Sequence, residues 1–372
     1  MNSKELYIGL MSGTSIDSID AALVSFQHGK AQVQGFHEHP ISEKIRSSIG
    51  NLCLPGENEI DRAGSLSHEL GLLFANAALT LLSQQKVKPE NVLAIGSHGQ
   101  TIRHRPQSNH PFTLQIGDPS TIAYHTGITT IADFRSKDIA AGGQGAPLVP
   151  AFHLAQFHHN TQARIILNIG GIANITRLPA TKMQPLIGLD TGPGNTLMDY
   201  WCNKHLQRPF DNHGSWARSG HLNTTLLDRF LQHPYFKRTG PKSTGREEFS
   251  STWLNDTLKD FAELAPETVQ NTLCELSAQS ISNTIKQYAA TGFEIIICGG
   301  GAKNKLLTER LEARLTDYTF STSAHYGINI DAVEATAFAW LAQQTLNALP
   351  GSRGSVTGAK KDLILGGIYP AG

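Results

Sequence analysis

Residues Glu5 to Phe26 read ELYIGLMSGTSIDSIDAALVSF. An apolar run through Met11 gives way to Ser12, Gly13, Thr14 and Ser15, and a second apolar run then leads to Phe26. This is a strand, a glycine turn and a second strand. Gly13 has no Cβ, so a ligand can approach the backbone there. Successive N–H groups in such a turn form a concave anion site, and the Thr14 and Ser15 hydroxyls add donors. Asp17 and Asp20 are acidic for an anion loop, which makes sense only with a cation or hydroxyl partner beside them. The same design returns at ARIILNIGGIANITRL, Ala163 to Leu178, with Gly170-Gly171 at the turn. Two such units half a chain apart point to a duplicated α/β architecture, one unit per domain.

Working outward, Leu66, Leu70, Leu73, Ala77 and Leu81 recur at helical spacing and predict an amphipathic helix. Asp118 ahead of Pro119 reads as an N-cap with proline in the first turn. Ala265 to Ala289 reads as one long helix, followed by the strand Phe293 to Cys298 and the triplet Gly299-Gly300-Gly301. A helix over Asp331 to Leu346 carries Ala335, Ala337 and Ala339, small enough for close packing that can slide. It is the expected hinge for closure of two domains over a substrate. Strands, glycine turns and helices in alternation are the α/β pattern.

The 372 residues are enough for two domains with their own cores. Lys plus Arg equal Asp plus Glu at 31 each, so the formal net charge is zero. That balance gives no overall attraction to nucleic acid or an anionic membrane. The expected partners are small molecules or further copies of the chain, as in a homodimer. No apolar run approaches the ~18–20 residues that span a bilayer, and the N-terminal apolar stretch is too short for a secretory leader. Cys53, Cys202, Cys274 and Cys298 lie far apart, as in a reduced, cytoplasmic protein. The sixteen histidines form no metal-ligand spacing, so no metal site within the protein is expected.

Several motifs are excluded. A Walker loop needs G-K-[ST], and a hydrolase elbow needs G-x-S-x-G; the chain has neither. The stretch beginning at Gly299 has Asn304 where a dinucleotide fingerprint needs its last glycine. Two others remain. In IGLDTGPGNTLMDYW, Ile187 to Trp201, Asp190 reads as the end of a strand, aimed outward by the turn Thr191 to Gly194, with Asn195 capping the next helix. Open α/β sheets place ligands at such strand ends. In IADFRSKDIAAGGQGAPLVP, Ile131 to Pro150, Arg135 can grip a carboxylate or phosphate with two hydrogen bonds. Arg135, Asp138 and Gln144 are the candidate substrate contacts of that loop.

In their order these pieces resemble the sugar kinase/actin/heat-shock ATPase superfamily. The resemblance implies two actin-like, ribonuclease H-like lobes with a nucleotide cleft between them, 1–133 plus 343–372 forming one and 134–342 the other. It implies phosphate hairpins at Gly9–Asp20 and Asn168–Thr176, an adenosine loop at Gly299–Asn304 and a connecting helix at Glu334–Ala342. The superfamily usually opens both phosphate turns with aspartate, where this chain has Met11 and Asn168. GLMSGTSIDSIDAALV, GSHGQTIRHRP, the Ile131–Pro150 stretch, LNIGGIANIT, LDTGPGNTLMDYW and EATAFAWLA together are similar to the anhydro-N-acetylmuramic acid kinase family over nearly the whole chain.

That family resemblance implies ATP-dependent phosphorylation of 1,6-anhydro-N-acetylmuramic acid on O6, with water opening the anhydro ring. The products are N-acetylmuramic acid 6-phosphate and ADP, a step of cell-wall recycling. It puts ATP phosphates at Gly13, Thr14, Ser15, Ile16, Asp17, Ser18, Ile19 and Asp20, with further nucleotide contacts at Gly170, Gly171, Gly299, Gly300 and Gly301, and implies Mg²⁺ as cofactor. Asp190 becomes the base for the water, and Glu334 holds the sugar. An N-acetylhexosamine kinase without ring opening and an actin-like assembly protein are the competing expectations. Met11 and the LDTGPGN loop speak against the first, and the compact length against the second.

Overall fold

The computed structural model describes residues 5–13, 16–181, 184–240, 242–245 and 248–372. The chain divides into two compact units, Met1–Gln156 with Gly327–Gly372, and Phe157–Tyr326. The sequence-based division had placed residues 134–156 and 327–342 with the other lobe. These crossings are poorly punctuated: Phe157 is the last residue of the helix Val149–Phe157, and Gly327, at φ +80°, stands at the return.

The first unit is built on β1 (Leu6–Met11), β2 (Ser18–Gln27), β3 (Lys30–Pro40), β4 (Val92–Ser97), β7 (Thr130–Ala132) and β13 (Gly367–Tyr369), in the order β13-β7-β4-β1-β2-β3. A separate hairpin pairs β5 (Gln100–Arg105) with β6 (Phe112–Ile116). The second unit is built on β8 (Arg164–Ile169), β9 (Ile172–Leu178), β10 (Ile187–Pro193), β11 (Glu294–Cys298) and β12 (Thr319–Thr322), in the order β10-β9-β8-β11-β12. In each, a first strand runs antiparallel to a second, the second antiparallel to a third, and the first parallel to the fourth. The fourth is parallel to a fifth, β7 in one unit and β12 in the other. The duplication expected from the two glycine turns is therefore a duplication of the whole ribonuclease H-like sheet.

The central strands explain themselves. β1, β8 and β11 are buried along most of their length, and their sequences are nearly unbroken apolar runs, as strands covered on both faces require. β3, at an edge, alternates and carries Lys30 and Pro40, which discourage further strand pairing. The helix Glu59–Gln85 buries Leu66, Leu70, Phe74, Ala77 and Leu81, close to the predicted stripe, although Leu73 is only partly covered. It is long and apolar enough to cross a membrane, which the sequence scan had not registered, yet half of its apolar window is buried within the protein. Asp118 caps the helix Pro119–Thr126 by accepting from the Ser120 and Thr121 amides at 3.2 and 2.9 Å.

The helix Val333–Leu346 lies directly on β1 and β4. A Cβ on Gly9 would stand 1.7 Å from the Ala335 carbonyl oxygen, and one on Gly96 would stand 2.0 Å from that of Phe338. Ala335, Ala337 and Ala339 are fully buried. This helix is a core element of the first unit, seated on two strand glycines. Glu334 lies in its first turn.

Candidate active site

In the first unit the carboxyl ends of parallel strands β1, β4 and β7 are followed by Ser12, His98 and Arg135. This is the side on which open α/β sheets receive ligands. Ser12 donates its hydroxyl to Gln100 Oε1 at 2.7 Å, and both side chains are buried. Gly13 has no protein atom within 4 Å of where a Cβ would stand, so packing does not demand a glycine there. Thr14 and Ser15 lie outside the described residues. Ile16 adopts φ +55°, its amide donating to the Gly13 carbonyl at 3.3 Å and its own carbonyl accepting from Arg46 Nε at 3.1 Å. Asp17 is exposed, and its Oδ1 accepts from the Ser18 amide at 3.1 Å. Ile19 is fully buried, so its side chain belongs to the core and only its backbone could meet a nucleotide.

Asp20 stands in register between Met11 of β1 and Glu38 of β3. Burial pushes its carboxyl up to about 7, the Ser18 hydroxyl at 3.0 Å opposes the shift, and Glu38, Glu334 and Asp17 add to it. A carboxylate with acidic neighbours in a half-buried site is one that a cation would relieve.

Arg135 is held on two sides. Its Nε and Nη2 lie 3.3 and 2.9 Å from His98 Nε2, and Nη1 donates to the Gly145 carbonyl at 2.7 Å. Burial lowers its pKa to about 10, with Glu334 and then Asp138 raising it, so it stays cationic near neutrality. Asp138 does not face a ligand as expected. It is fully buried, Oδ2 accepting from the Gly145 amide at 2.8 Å and Oδ1 from the Thr357 hydroxyl at 2.7 Å. The cause is the glycine loop itself: Gly143 packs so closely on Asp138 that a Cβ would stand 2.2 Å from Oδ2. Gln144 is exposed on that loop, and its amide donates to the Thr357 carbonyl at 2.8 Å.

In the second unit Asp190 was expected at a strand end. Instead β10 continues to Pro193, and Asp190 lies within it opposite Asn174. Gly192, at φ +139°, and a register shift between Asp190 and Gly192 absorb the turn-like sequence as a bulge. Bulges re-aim side chains, and this one sits on the edge strand. The Asp190 amide donates to the Lys242 carbonyl at 2.9 Å, its carbonyl accepts from the Tyr235 hydroxyl at 2.7 Å, and its Oδ2 accepts from the Thr244 amide at 2.9 Å. Burial, then Asp190 and Glu248, push the Tyr235 hydroxyl far up, so it remains a donor. Asp190 is thus a half-buried carboxylate on a pinned backbone with one oxygen oriented, the arrangement a general base needs.

Asn195 does not cap the following helix, Thr196–Leu206, with its side chain. It donates to the Ile169 carbonyl at 3.3 Å, while the amides of Gly194, Asn195 and Thr196 donate to the carbonyls of Gly171, Gly170 and Gly171 at 2.9, 2.9 and 3.0 Å. The β8–β9 turn is therefore closed by the start of that helix. After β11, Gly299 adopts φ +80°, and a Cβ on it would meet Asn168 Oδ1 at 2.3 Å, while one on Gly301 would meet Ile169 Cγ2 at 2.2 Å. Gly300 between them faces open space.

Two hollows accompany these sites. One of about 250 Å³ in the first unit is lined by His98, Gln115, Asp133, Ser136 and Tyr369, among others, beside the Arg135 loop. A larger one of about 330 Å³ in the second unit is lined by Arg229, His233 and Trp253, away from the glycine turns. The smaller one touches the polar cluster at His98. Residues that sequence reasoning passed over are His98, Thr357, Tyr235 and Thr244. Only His98 had a signal, its place in GSHGQT directly after a strand.

A family model described as anhydro-N-acetylmuramic acid kinase matches residues 5–371. The anhydro-N-acetylmuramic acid kinase of Pasteurella multocida (strain Pm70) is 49% identical over 365 residues, covering 98% of this chain and 96% of that protein. The enzyme of the same name from Shewanella denitrificans is 48% identical over 371 residues, covering 100% of both. Among solved structures, the activator of the 2-hydroxyisocaproyl-CoA dehydratase from Clostridium difficile, with bound ADPNP, is similar at TM-score 0.45 and 11% identity, covering 92% of this chain and 98% of that one. With a family match from end to end and relatives sharing half their residues, the chain belongs to the anhydro-N-acetylmuramic acid kinase family and is an ATP-dependent sugar kinase.

Proposed function

We propose that the chain transfers the γ-phosphoryl group of ATP to O6 of 1,6-anhydro-N-acetylmuramic acid while water adds at the anomeric carbon. The products are N-acetylmuramic acid 6-phosphate and ADP, a reaction of peptidoglycan recycling in the cytoplasm. The bonds balance without a separate general acid. Water forms a bond to C1, the C1–O6 bond breaks, and its electron pair lets O6 bond to the γ-phosphorus. The γ-phosphorus to ADP oxygen bond breaks, and the water's proton passes to a carboxylate. Activating a water opposite a departing sugar oxygen is the task of the base in inverting glycosidases.

The observation that carries this proposal is Asp190, with its backbone pinned by Lys242 and Tyr235 and its Oδ2 oriented by the Thr244 amide. In the first unit, ATP phosphates would lie on the Gly13–Asp20 turn, where Gly13 leaves a space no protein atom fills. Gly299–Gly301 would receive the adenosine, Gly300 being the open position. Mg²⁺ would be held beside Asp20, whose pKa is raised first by burial and then by the charges of Glu38, Glu334 and Asp17, so that a cation there would be favoured. When bound, it would offset the charge of the phosphates. Glu334 would hold sugar hydroxyls, and the Arg135 fork would take the lactyl carboxylate that distinguishes muramic acid from glucosamine.

The direct test is Asp190→Asn, which keeps the shape and loses the proton acceptor. ATP and sugar should still bind, with turnover reduced about 10²–10⁴-fold, the usual contribution of a positioned base. Near-normal turnover would remove Asp190 from the chemistry. Asp138 would not replace it, since both its oxygens are occupied within the protein.

A further inference from the structure

We infer that His98 is a positioning residue for substrate specificity: it occupies one edge of the Arg135 guanidinium so that the opposite edge is presented to the anionic substituent of the sugar. The inference rests on the assignment of Arg135 to the lactyl carboxylate and adds what makes that arginine selective.

A guanidinium has two edges suited to paired hydrogen bonding, one made by Nε and Nη2 and the other by Nη1 and Nη2. Left to itself, a long arginine side chain can offer either edge in many rotamers. Here His98 Nε2 receives the Nε and Nη2 side at 3.3 and 2.9 Å, closing the first edge. Arginine is always a donor, so Nε2 must be the unprotonated nitrogen and the imidazole proton sits on Nδ1. Burial, followed by the Arg135 charge, lowers the His98 pKa to about 3, with the Gly99 and Ser12 backbone opposing. His98 is therefore a neutral acceptor across the working pH range. It cannot swing away either, being buried with its ring 4.9 Å from that of Phe338.

The other support is the Gly145 carbonyl, which takes one Nη1 hydrogen at 2.7 Å. That carbonyl is itself fixed, because the Gly145 amide donates to the buried Asp138, and Asp138 is held by the Thr357 hydroxyl. Of the five guanidinium hydrogens one on Nη1 and one on Nη2 remain after these bonds, the number a carboxylate accepts when it binds a fork in parallel. A guanidinium fixed on two sides has already lost its rotamer freedom, so less is lost when the carboxylate arrives.

The test compares His98→Leu, which removes the acceptor, with His98→Gln, which restores one at similar reach. Both are assayed on 1,6-anhydro-N-acetylmuramic acid and on 1,6-anhydro-N-acetylglucosamine, which lacks the lactyl group, with thermal melting as the folding control. His98→Leu should raise KM for the muramic substrate about 10- to 100-fold, the scale of a charge-assisted hydrogen bond. The effect on the glucosamine analogue should be far smaller, kcat at saturation should change little, and His98→Gln should recover most of the loss. Equal losses on both sugars, or no loss, would overturn the inference. Arg135→Ala on the same pair separates the two levels. If it fails to discriminate the sugars, the carboxylate assignment itself fails; if it discriminates and His98→Leu does not, only the positioning role of His98 fails.

Discussion

The β1–β2 and β8–β9 turns hold the same place in two sheets of the same strand order, yet they are built for different ends. The first spans Ser12 to Asp17 and keeps open space over Gly13. The second is only Gly170-Gly171, and its carbonyls are already taken by three amides at the start of the helix Thr196–Leu206. A glycine that packing does not require is free to serve a ligand. At Gly170 and Gly171 the bonded groups are the carbonyls, which fixes the turn; an anion would meet the amides. The duplicated sheet thus supplies two scaffolds with differently built turns. On the proposed mechanism the open turn handles phosphate, while the closed one steadies the neighbourhood of Asp190, which pairs with Asn174 of β9.

Three substitutions press on this contrast. The largest effect is expected from Gly13→Val. With no protein atom within 4 Å of the new Cβ, the melting temperature should hold within about 0.5 kcal/mol of stability, as for an uncrowded surface change. ATP binding followed by calorimetry should be abolished; unchanged affinity would move the phosphates off this turn. Next comes Gly194→Ala, whose Cβ would stand 2.3 Å from the Gly170 carbonyl oxygen. Overpacking of this kind costs about 1–3 kcal/mol, to be read as a fall in melting temperature. A variant as stable as the parent would show that the second turn is not closed as described.

A further effect is a pH dependence at Asp20. Its folded pKa of about 7 lies above the ordinary carboxyl value, so the folded state binds more protons than the unfolded one between them. Stability from this group is then greatest below the unfolded pKa and is lost as pH rises through about 7. Asp20→Asn should flatten that decline in the ligand-free protein, and Mg²⁺ with nucleotide should reduce it in the parent. An identical pH slope in the variant would assign the decline to other groups.

Much of this was legible in the sequence. Central strands and the Glu59–Gln85 helix follow from apolar period and length, and Asp118 with Pro119 marks its helix start by local chemistry alone. Other features depend on contacts distant in the chain. LDTGPGN reads as a turn because glycine and proline cluster there, but pairing with β9 extends the strand through it and leaves a bulge. Asn195 has a cap's identity and position, yet the Ile169 carbonyl competes for its side chain. Asp138 looked like a ligand contact because loop charges commonly face solvent; its partner Thr357 lies 219 residues away. His98 was passed over for the same reason, since its meaning lies in Arg135, 37 residues on.

The coupling of phosphorylation to ring opening is most directly tested by the product itself. The protein, ATP, Mg²⁺ and 1,6-anhydro-N-acetylmuramic acid are incubated in ¹⁸O-labelled water, and the product mass is measured along with the position of the label. The expected product is heavier than the sugar by one phosphate plus one water, with ¹⁸O on the anomeric carbon and one ADP formed per sugar. A product heavier by phosphate alone, with the anhydro ring intact, would contradict the coupling and leave a sugar kinase without hydrolysis.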